Sequence, residues 1–300
     1  MSDNTHKKTL YVYFHAFWIG FTGNPKTTDF FRRILAAVFN TDIEITTDIN
    51  RAELLVESGF GPSVLATKSW RASFLFMGES WVRENWRDYT IVLSGQAMSE
   101  SPTIVPLPLY ALYLYDKHGH NKISNNVVRP IPVNDVLVIV SNSGEGVRKR
   151  FLDELDKHFN VTYAGSYKNN IGGPLKPEYG TPEFFHYISK YKFVITMENS
   201  AQDSYITEKI FHGFFAHNVP VYWGAPRVED YINPARFLHV RNGETAEFAR
   251  VIAEMKRLAA DESAWRSVIT QPWEAPGGEQ PTYESIASQI YKKLCTHTVL

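Results

Sequence analysis

The sequence predicts an α/β protein with two Rossmann-like domains, and three observations support this prediction. Short apolar runs alternate with amphipathic stretches along most of the 300 residues, which is typical of parallel sheets flanked by helices. The length allows two domains of ordinary size. A polar, proline-bearing stretch, His118 to Asn134, separates two sets of such runs and is interpreted as a linker. We therefore expect domains at residues 1–130 and 131–300, with a terminal helix in the second.

The first half carries five runs rich in β-branched and aromatic residues, which predict strands. The predicted strands are Leu10–Phe14, Asp42–Ile45, Leu54–Val56, Ala72–Met77 and Tyr89–Leu93. Thr28 is a predicted cap for a helix from Asp29 to Phe39, because its short oxygen-bearing side chain can accept hydrogen bonds from free backbone N–H groups. Tyr110 to Tyr115 predicts an aromatic packing helix.

The second half repeats the alternation of strands and helices. Its predicted strands are Val136–Val140, Val161–Ala164, Phe193–Met197, Val219–Trp223 and Phe237–Val240. Its predicted helices are Gly146–Phe159, Thr181–Tyr191, Tyr205–His217, Thr245–Ala259 and Tyr283–Leu294. A repeated strand–helix–strand order indicates a second parallel sheet with right-handed crossovers.

One stretch of the second half, Tyr191 to Pro226, combines two predicted strands with a polar loop and a helix between them. In such units ligands bind at the carboxyl ends of the strands, where helix N-termini point. The side chains expected at that place are polar: Glu198, Asn199, Ser200, Tyr205, Glu208 and Lys209.

The chemistry of this polar cluster permits two interpretations. A helix N-terminus with Lys209 one turn along it suits a phosphate. Glu208 would repel a phosphate unless a group that gains positive charge, such as the anomeric carbon of a sugar, lies between them. In the alternative, Glu208 only complements the helix dipole and Lys209 is solvated. No glycine-rich nucleotide motif is present to decide between the two.

The order and spacing of five sequence pieces in this stretch resemble the core motif of the alpha-1,3/4-fucosyltransferases, glycosyltransferase family 10. The pieces are Tyr191-Lys192-Phe193, Glu198-Asn199-Ser200, Tyr205-Ile206-Thr207-Glu208-Lys209, Val219-Pro220-Val221 and Gly224-Ala225-Pro226. The resemblance covers more than thirty residues. It implies the two-domain glycosyltransferase fold called GT-B, with two Rossmann-like domains facing a cleft, and inverting transfer of L-fucose from GDP-fucose to a sugar hydroxyl.

The resemblance also implies a set of donor-binding residues. Arg148 follows Ser141-Asn142 at the family's spacing and is expected, with Lys209, to bind the diphosphate and neutralise its charge as GDP departs. Asn199 and Tyr205 are expected to hydrogen-bond the donor. Glu208 is expected to hold the fucose and stabilise its oxocarbenium-like transition state.

Glu79 is the catalytic base that the resemblance implies. It follows a predicted strand of the first half, where a carboxylate would take the proton of the acceptor hydroxyl. The family places Glu-Ser-Pro here, whereas Trp81 replaces the proline in this sequence. Glu84 and Glu57 are the competing carboxylates.

Composition narrows the class of partner and of cofactor. The net charge of −1 gives no sign of nucleic-acid binding. Neither an Asp-x-Asp triplet nor a His/Cys cluster with metal spacing is present, so we expect no metal and no cofactor besides the donor substrate. The single cysteine, Cys295, and the lack of an apolar leader favour a cytoplasmic protein with at most peripheral membrane association.

The resemblance, together with the absence of a metal motif, implies a GDP-fucose-dependent, metal-independent alpha-1,3-fucosyltransferase. The expected acceptor is an oligosaccharide or glycoconjugate, with fucose added to the GlcNAc of an N-acetyllactosamine-like unit. The alternatives are the same donor with another acceptor or linkage, a different nucleotide sugar, or a catalytically silent glycan- or nucleotide-binding relative. Glu79, Arg148, Glu208 and Lys209 are all present, which argues against a silent protein.

Overall fold

The structure, a computed structural model, divides the chain into two compact units. It describes residues 8–96, 101–114, 123–124, 127, 129–142, 146–278 and 280–296. The first unit comprises Met1–Gly119, Gln202–Tyr205 and Gln280–Leu300, and the second comprises His120–Ala201 and Ile206–Glu279. The predicted linker falls partly outside the described residues, and its last residue, Asn134, opens a strand.

Strands and helices alternate through both units. The strands are β1 Leu10–His15, β2 Ile43–Ile45, β3 Leu54–Glu57, β4 Ala72–Met77, β5 Ile91–Ser94, β6 Ile104–Pro106, β7 Asn134–Val138, β8 Val161–Tyr163, β9 Tyr191–Ile195, β10 Val219–Tyr222 and β11 Leu238–His239. The helices are α1 Pro25–Phe39, α2 Tyr110–Tyr113, α3 Val147–Leu155, α4 Pro182–Ile188, α5 Lys209–Phe215, α6 Val228–Tyr231, α7 Thr245–Ala260, α8 Glu262–Ile269 and α9 Tyr283–Thr296. Each predicted strand is confirmed, with ends that agree to within two residues.

The first unit is built on a parallel six-stranded sheet in the order β2-β1-β3-β4-β5-β6. Every residue of β3, β4 and β5 is buried. Central strands of a parallel sheet are covered on both faces, so their sequences are continuous apolar runs. The sequence pattern misses β6, because Pro106 within a short run argues against a strand, although proline is tolerated at a sheet edge.

Helix α1 begins four residues before its predicted start. Asn24 accepts a backbone hydrogen bond in the first turn, and Pro25 follows at the first helical position, which suits the fixed φ of proline. The Thr28 hydroxyl, the predicted cap of a helix starting at Asp29, instead donates to the Pro25 carbonyl at 3.1 Å. The helix ends at Asn40, which adopts a left-handed conformation.

The terminal helix belongs to the first unit, so its predicted place in the second domain is wrong. Helix α9 packs against α1. Its buried residues Ile286 and Ile290 share one hydrophobic core with Phe30 and Ile34 of α1. An amphipathic pattern predicts that a helix buries one face but not which sheet it covers.

The second unit holds a parallel five-stranded sheet in the order β11-β10-β9-β7-β8. Strand β9 lies at its centre, between β7 and β10. Helix α5 approaches this sheet closely through Gly213. A Cβ at that position would lie 2.7 Å from Cγ of Pro220 and 2.9 Å from Cγ1 of Val194.

Replacing Gly213 by alanine should therefore destabilise the protein. Overpacking outweighs the gain in helix propensity, and we expect the free energy of unfolding to fall by about 1–2 kcal/mol in denaturant titrations. Gly23→Ala is the matched control, because its added Cβ would have its nearest neighbour at 3.8 Å. Equal unfolding free energies for the two variants would contradict the close approach of α5.

Candidate active site

The polar loop between β9 and α5 carries the centre of the candidate site. The backbone N–H of Glu198 donates to the Trp223 carbonyl at 2.8 Å, so the chain still runs beside the end of β10 at this point. Helix α5 begins at Lys209, and its predicted start at Tyr205 is wrong. The Ser204 N–H donates to the Gly95 carbonyl at 2.8 Å, which holds this segment outside the helix.

Glu198 is fully buried and ties this loop together. Its carboxylate accepts hydrogen bonds from the Thr207 N–H at 2.8 Å and from the Thr207 hydroxyl at 2.9 Å. Lys209 Nζ lies 2.9 Å from Oε2 of the same carboxylate. Burial raises the pKa of Glu198 above its ordinary value, and the charge of Lys209 and the Thr207 N–H offset only part of this effect.

Lys209 is held as a cation at the first turn of α5. Burial lowers its pKa, but the charges of Glu198 and Glu208 outweigh burial and raise the pKa above its ordinary value. Its ammonium also donates to the Thr207 hydroxyl at 3.0 Å. An ammonium has three N–H donors, and contacts within the described residues use two. The interpretation of Lys209 as a solvated surface residue is therefore wrong.

Arg148, in the first turn of α3, links the loops that follow β7 and β9. Its guanidinium donates to Oδ1 of Asn199 at 2.8 Å and to the Glu198 carbonyl at 3.3 Å, and it also donates to the Asn142 carbonyl. The residue is 6% exposed. Burial lowers the pKa of Arg148, and the charge of Glu198 partly offsets this effect. Two cationic side chains thus lie at the carboxyl ends of adjacent strands.

Glu208 faces a residue that the sequence analysis does not single out. The Tyr179 hydroxyl donates to Oε1 of Glu208 at 2.7 Å. Burial by itself would raise the pKa of Glu208, but the charges of Lys209 and His212 and the Tyr179 hydroxyl outweigh it and lower the pKa below its ordinary value. Tyr179 lies in a glycine- and proline-bearing loop with no regular period, so no sequence pattern could pair it with Glu208.

Tyr205 is the one predicted donor-binding residue that belongs to the first unit. It is buried in the hydrophobic core of the first unit, to which Gln202–Tyr205 belongs. A Cβ at Gly95 would lie 2.8 Å from the Tyr205 Cα, so a glycine is required there. The structure brings Arg148, Asn199, Glu208 and Lys209 together in the second unit.

Glu79 and its two competitors lie in the first unit. Glu79 follows β4 and is half-buried, and within the described part of the chain no group hydrogen-bonds or pairs with its carboxylate. Glu57 is fully buried and accepts from the Ser63 hydroxyl and the Val64 N–H, each at 2.8 Å, and from the Tyr89 hydroxyl. Glu84 is exposed. Glu57 is therefore occupied in holding its loop, while Glu79 keeps its lone pairs available.

Two general features of the described residues bear on metal and membrane binding. Across the described ranges no group of three or more His, Cys, Asp or Glu side chains is arranged to hold a metal ion. None of the helices in those ranges has the length and apolar character needed to cross a bilayer.

The fold has a counterpart among solved structures. A crystal structure of an alpha1,3-fucosyltransferase with GDP superposes with a TM-score of 0.70 at 20% identity, covering 99% of this chain and 92% of that one. Two parallel sheets of this kind match the GT-B type fold of fucosyltransferase structures.

Sequence comparison narrows the class to one family. Residues 133–297 match the family described as "Glycosyltransferase family 10 (fucosyltransferase) C-term", and the chain belongs to this family. An alpha-(1,3)-fucosyltransferase of Helicobacter pylori is 28% identical over 214 residues, which are 67% of this chain and 42% of that protein. An Arabidopsis thaliana alpha-(1,4)-fucosyltransferase is 30% identical over 165 residues, 49% of this chain and 39% of that protein. The chain therefore matches less than half the length of either relative.

The Thr207 hydroxyl, which contacts both Glu198 and Lys209, can be tested directly. Thr207→Val should lower the free energy of unfolding by about 1–3 kcal/mol, because a buried carboxylate loses a donor that no water replaces. Chemical denaturation without ligand measures this loss. Thr207→Ser retains the hydroxyl and should lose much less, so equal losses in the two variants would show that the hydroxyl does not stabilise the site.

Proposed function

We propose that this protein is an inverting, metal-independent fucosyltransferase that takes L-fucose from GDP-fucose. The observation that carries the proposal is the placement of Arg148, Glu208 and Lys209, on the family motif, at the carboxyl ends of β7 and β9. Family membership and the fold shared with an alpha1,3-fucosyltransferase crystallised with GDP support the same donor.

Two fixed cations account for the handling of the leaving diphosphate. Arg148 and Lys209 would each place a positive charge against the phosphates and neutralise the charge that develops as GDP leaves. Their geometry is set before the donor binds, because Asn199 and Glu198 already hold them. This is the role that a divalent cation plays in other phosphate-transfer sites, and it underlies the proposal that no metal is required.

Glu208 and Ser200 supply the rest of the proposed donor site. An ionised Glu208, with its lowered pKa, would stabilise the positive charge that the fucose ring gains in the transition state. The buried Ser200 Oγ has no hydrogen-bond partner among the described residues. A buried polar atom of this kind calls for an explanation, and a bound donor would satisfy it. We assign Asn199 to donor binding together with Arg148, and we retain Tyr205 as a proposed contact.

The proposed transfer is a single displacement. Glu79 takes the proton of the acceptor hydroxyl as its oxygen bonds to the anomeric carbon of fucose, while the bond from that carbon to the diphosphate oxygen breaks. The electron pair of the breaking bond leaves with GDP, whose charge Arg148 and Lys209 compensate. Attack on the face opposite the leaving group inverts the anomeric configuration.

We propose an alpha-1,3 bond to the GlcNAc of an N-acetyllactosamine-like unit. The similarity to an alpha-(1,3)-fucosyltransferase over 67% of this chain supports that linkage. The similarity to an alpha-(1,4)-fucosyltransferase favours one alternative, the same donor with a 1,4 linkage.

Release of GDP from GDP-fucose in the presence of EDTA tests the proposed function. We expect N-acetyllactosamine to stimulate release, and added divalent metal to change the rate less than twofold. GDP should raise the melting temperature more than UDP, because a ligand that binds only the folded state stabilises it. A protein that binds neither GDP nor GDP-fucose would refute the donor site, and dependence on added metal would refute metal independence.

Glu79→Gln should strongly slow transfer while GDP binding stays intact. The amide keeps the shape of the side chain but cannot take a proton, so kcat should fall roughly 10²–10⁴-fold. Glu84→Gln is the matched control, an exposed carboxylate five residues along the chain, and should leave kcat unchanged. Near-normal turnover in Glu79→Gln would show that another group acts as the base.

A further inference from the structure

We infer that Trp81 and Phe60 form an aromatic subsite that binds a sugar ring of the acceptor beside Glu79. The inference rests on the proposed function, and it adds the residues that bind the acceptor. Both side chains are large and apolar and yet exposed, Trp81 by 46% and Phe60 by 45%. Exposed apolar side chains that cluster at one place mark binding surfaces.

The indole of Trp81 lies over the loop that follows β3. A Cβ at Gly59 would lie 2.5 Å from Cη2 of Trp81 and 3.1 Å from Cε of Met77. The ring therefore rests on bare backbone, which supports it from below while almost half of its surface faces solvent.

Phe60 extends this aromatic surface to Trp18. Its ring meets Trp18 edge-on at a centroid distance of 5.7 Å. Trp18 in turn approaches Gly78, where a Cβ would lie 3.5 Å from Cζ3 of the indole. The aromatic rings thus border the segment that carries the proposed base, at the carboxyl ends of β3 and β4, where ligands bind in parallel sheets.

Hydrogen bonds fix this surface before any ligand arrives. Arg83, two residues after Trp81, donates to the Ser58 carbonyl at 2.8 Å and to the Gly61 carbonyl at 2.5 Å. The Phe60 N–H donates to the Ala16 carbonyl at 2.9 Å. The loops that carry the rings are thereby tied to each other and to the end of β1. A surface that is rigid in the free protein loses little entropy on binding.

The chemistry of the surface favours a sugar ring. One face of a pyranose presents C–H groups while its rim presents hydroxyls, and an aromatic ring can pack against the apolar face and leave the hydroxyls accessible. A ring held in this way would direct a rim hydroxyl toward Glu79. The resemblance implies a proline at position 81, which has no aromatic ring to pack on a sugar, so Trp81 would set the acceptor preference of this site.

Trp81→Ala tests the inference by steady-state kinetics with N-acetyllactosamine. The KM for the acceptor should rise about tenfold, because one aromatic packing surface is lost, while the KM for GDP-fucose and the affinity for GDP stay unchanged. Trp81→Phe should restore most of the acceptor affinity, and Phe60→Ala should raise the acceptor KM independently. Tyr291→Ala on α9 is the matched control, since it removes an aromatic side chain of similar exposure, 50%.

Saturation-transfer NMR of wild-type protein with N-acetyllactosamine gives a second readout that needs no turnover. The C–H protons of one ring face should receive the strongest saturation, and Trp81→Ala should abolish it. An unchanged acceptor KM in Trp81→Ala, or no saturation transfer from the wild-type protein to the acceptor, overturns the subsite. A molecular mass that rises with protein concentration in the wild type but not in Trp81→Ala, together with a lack of saturation transfer, would also overturn the subsite. The surface would then bind a second copy of the chain. Failure of the proposed function can be told apart from failure of the subsite, because the same samples would then not bind GDP.

Discussion

The buried ion pair between Glu198 and Lys209 is the interaction on which the candidate site depends. A carboxylate without solvent contact costs free energy unless donors surround it. Thr207 and Lys209 supply those donors, and in doing so they fix the course of the chain from the end of β9 to the first turn of α5. The same loop offers its backbone and Asn199 to Arg148. The placement of both cations therefore follows from the need to satisfy one buried acid.

Much of the fold could be predicted from the sequence, because buried parallel strands leave a strong local signal. Continuous apolar runs such as Ala72–Met77 have few other interpretations in an α/β chain. Features that depend on distant partners could not be predicted. The start of α5 is set by Glu198 and by the attachment of Ser204 to Gly95, neither of which is visible in a helical period. The packing of α9 against α1 is likewise a property of the folded structure and is not visible in the sequence.

The site shows the same division between local motif and distant contact. The family resemblance predicts which residues contribute to binding and catalysis, and four of them, Arg148, Asn199, Glu208 and Lys209, do lie together. It assigns no role to Glu198, although that residue is part of the motif, since an acid that organises neighbours looks the same in a sequence as an acid that meets substrate. Glu57 and Glu79 pose the same problem in the first unit. Both follow buried strands of the first sheet, and only the structure shows that Glu57 is saturated with donors.

The return of the chain to the first unit through α9 has a consequence for biosynthesis. Residues Ile286 and Ile290 cover Phe30 and Ile34 of α1, yet a ribosome makes them only after the whole of the second unit. Until then the first sheet lacks part of its apolar cover, and contacts between residues more than 250 positions apart close slowly because of the chain entropy that they must overcome. The two units are therefore not independent folding modules in chain order, since the unit that begins first is completed last.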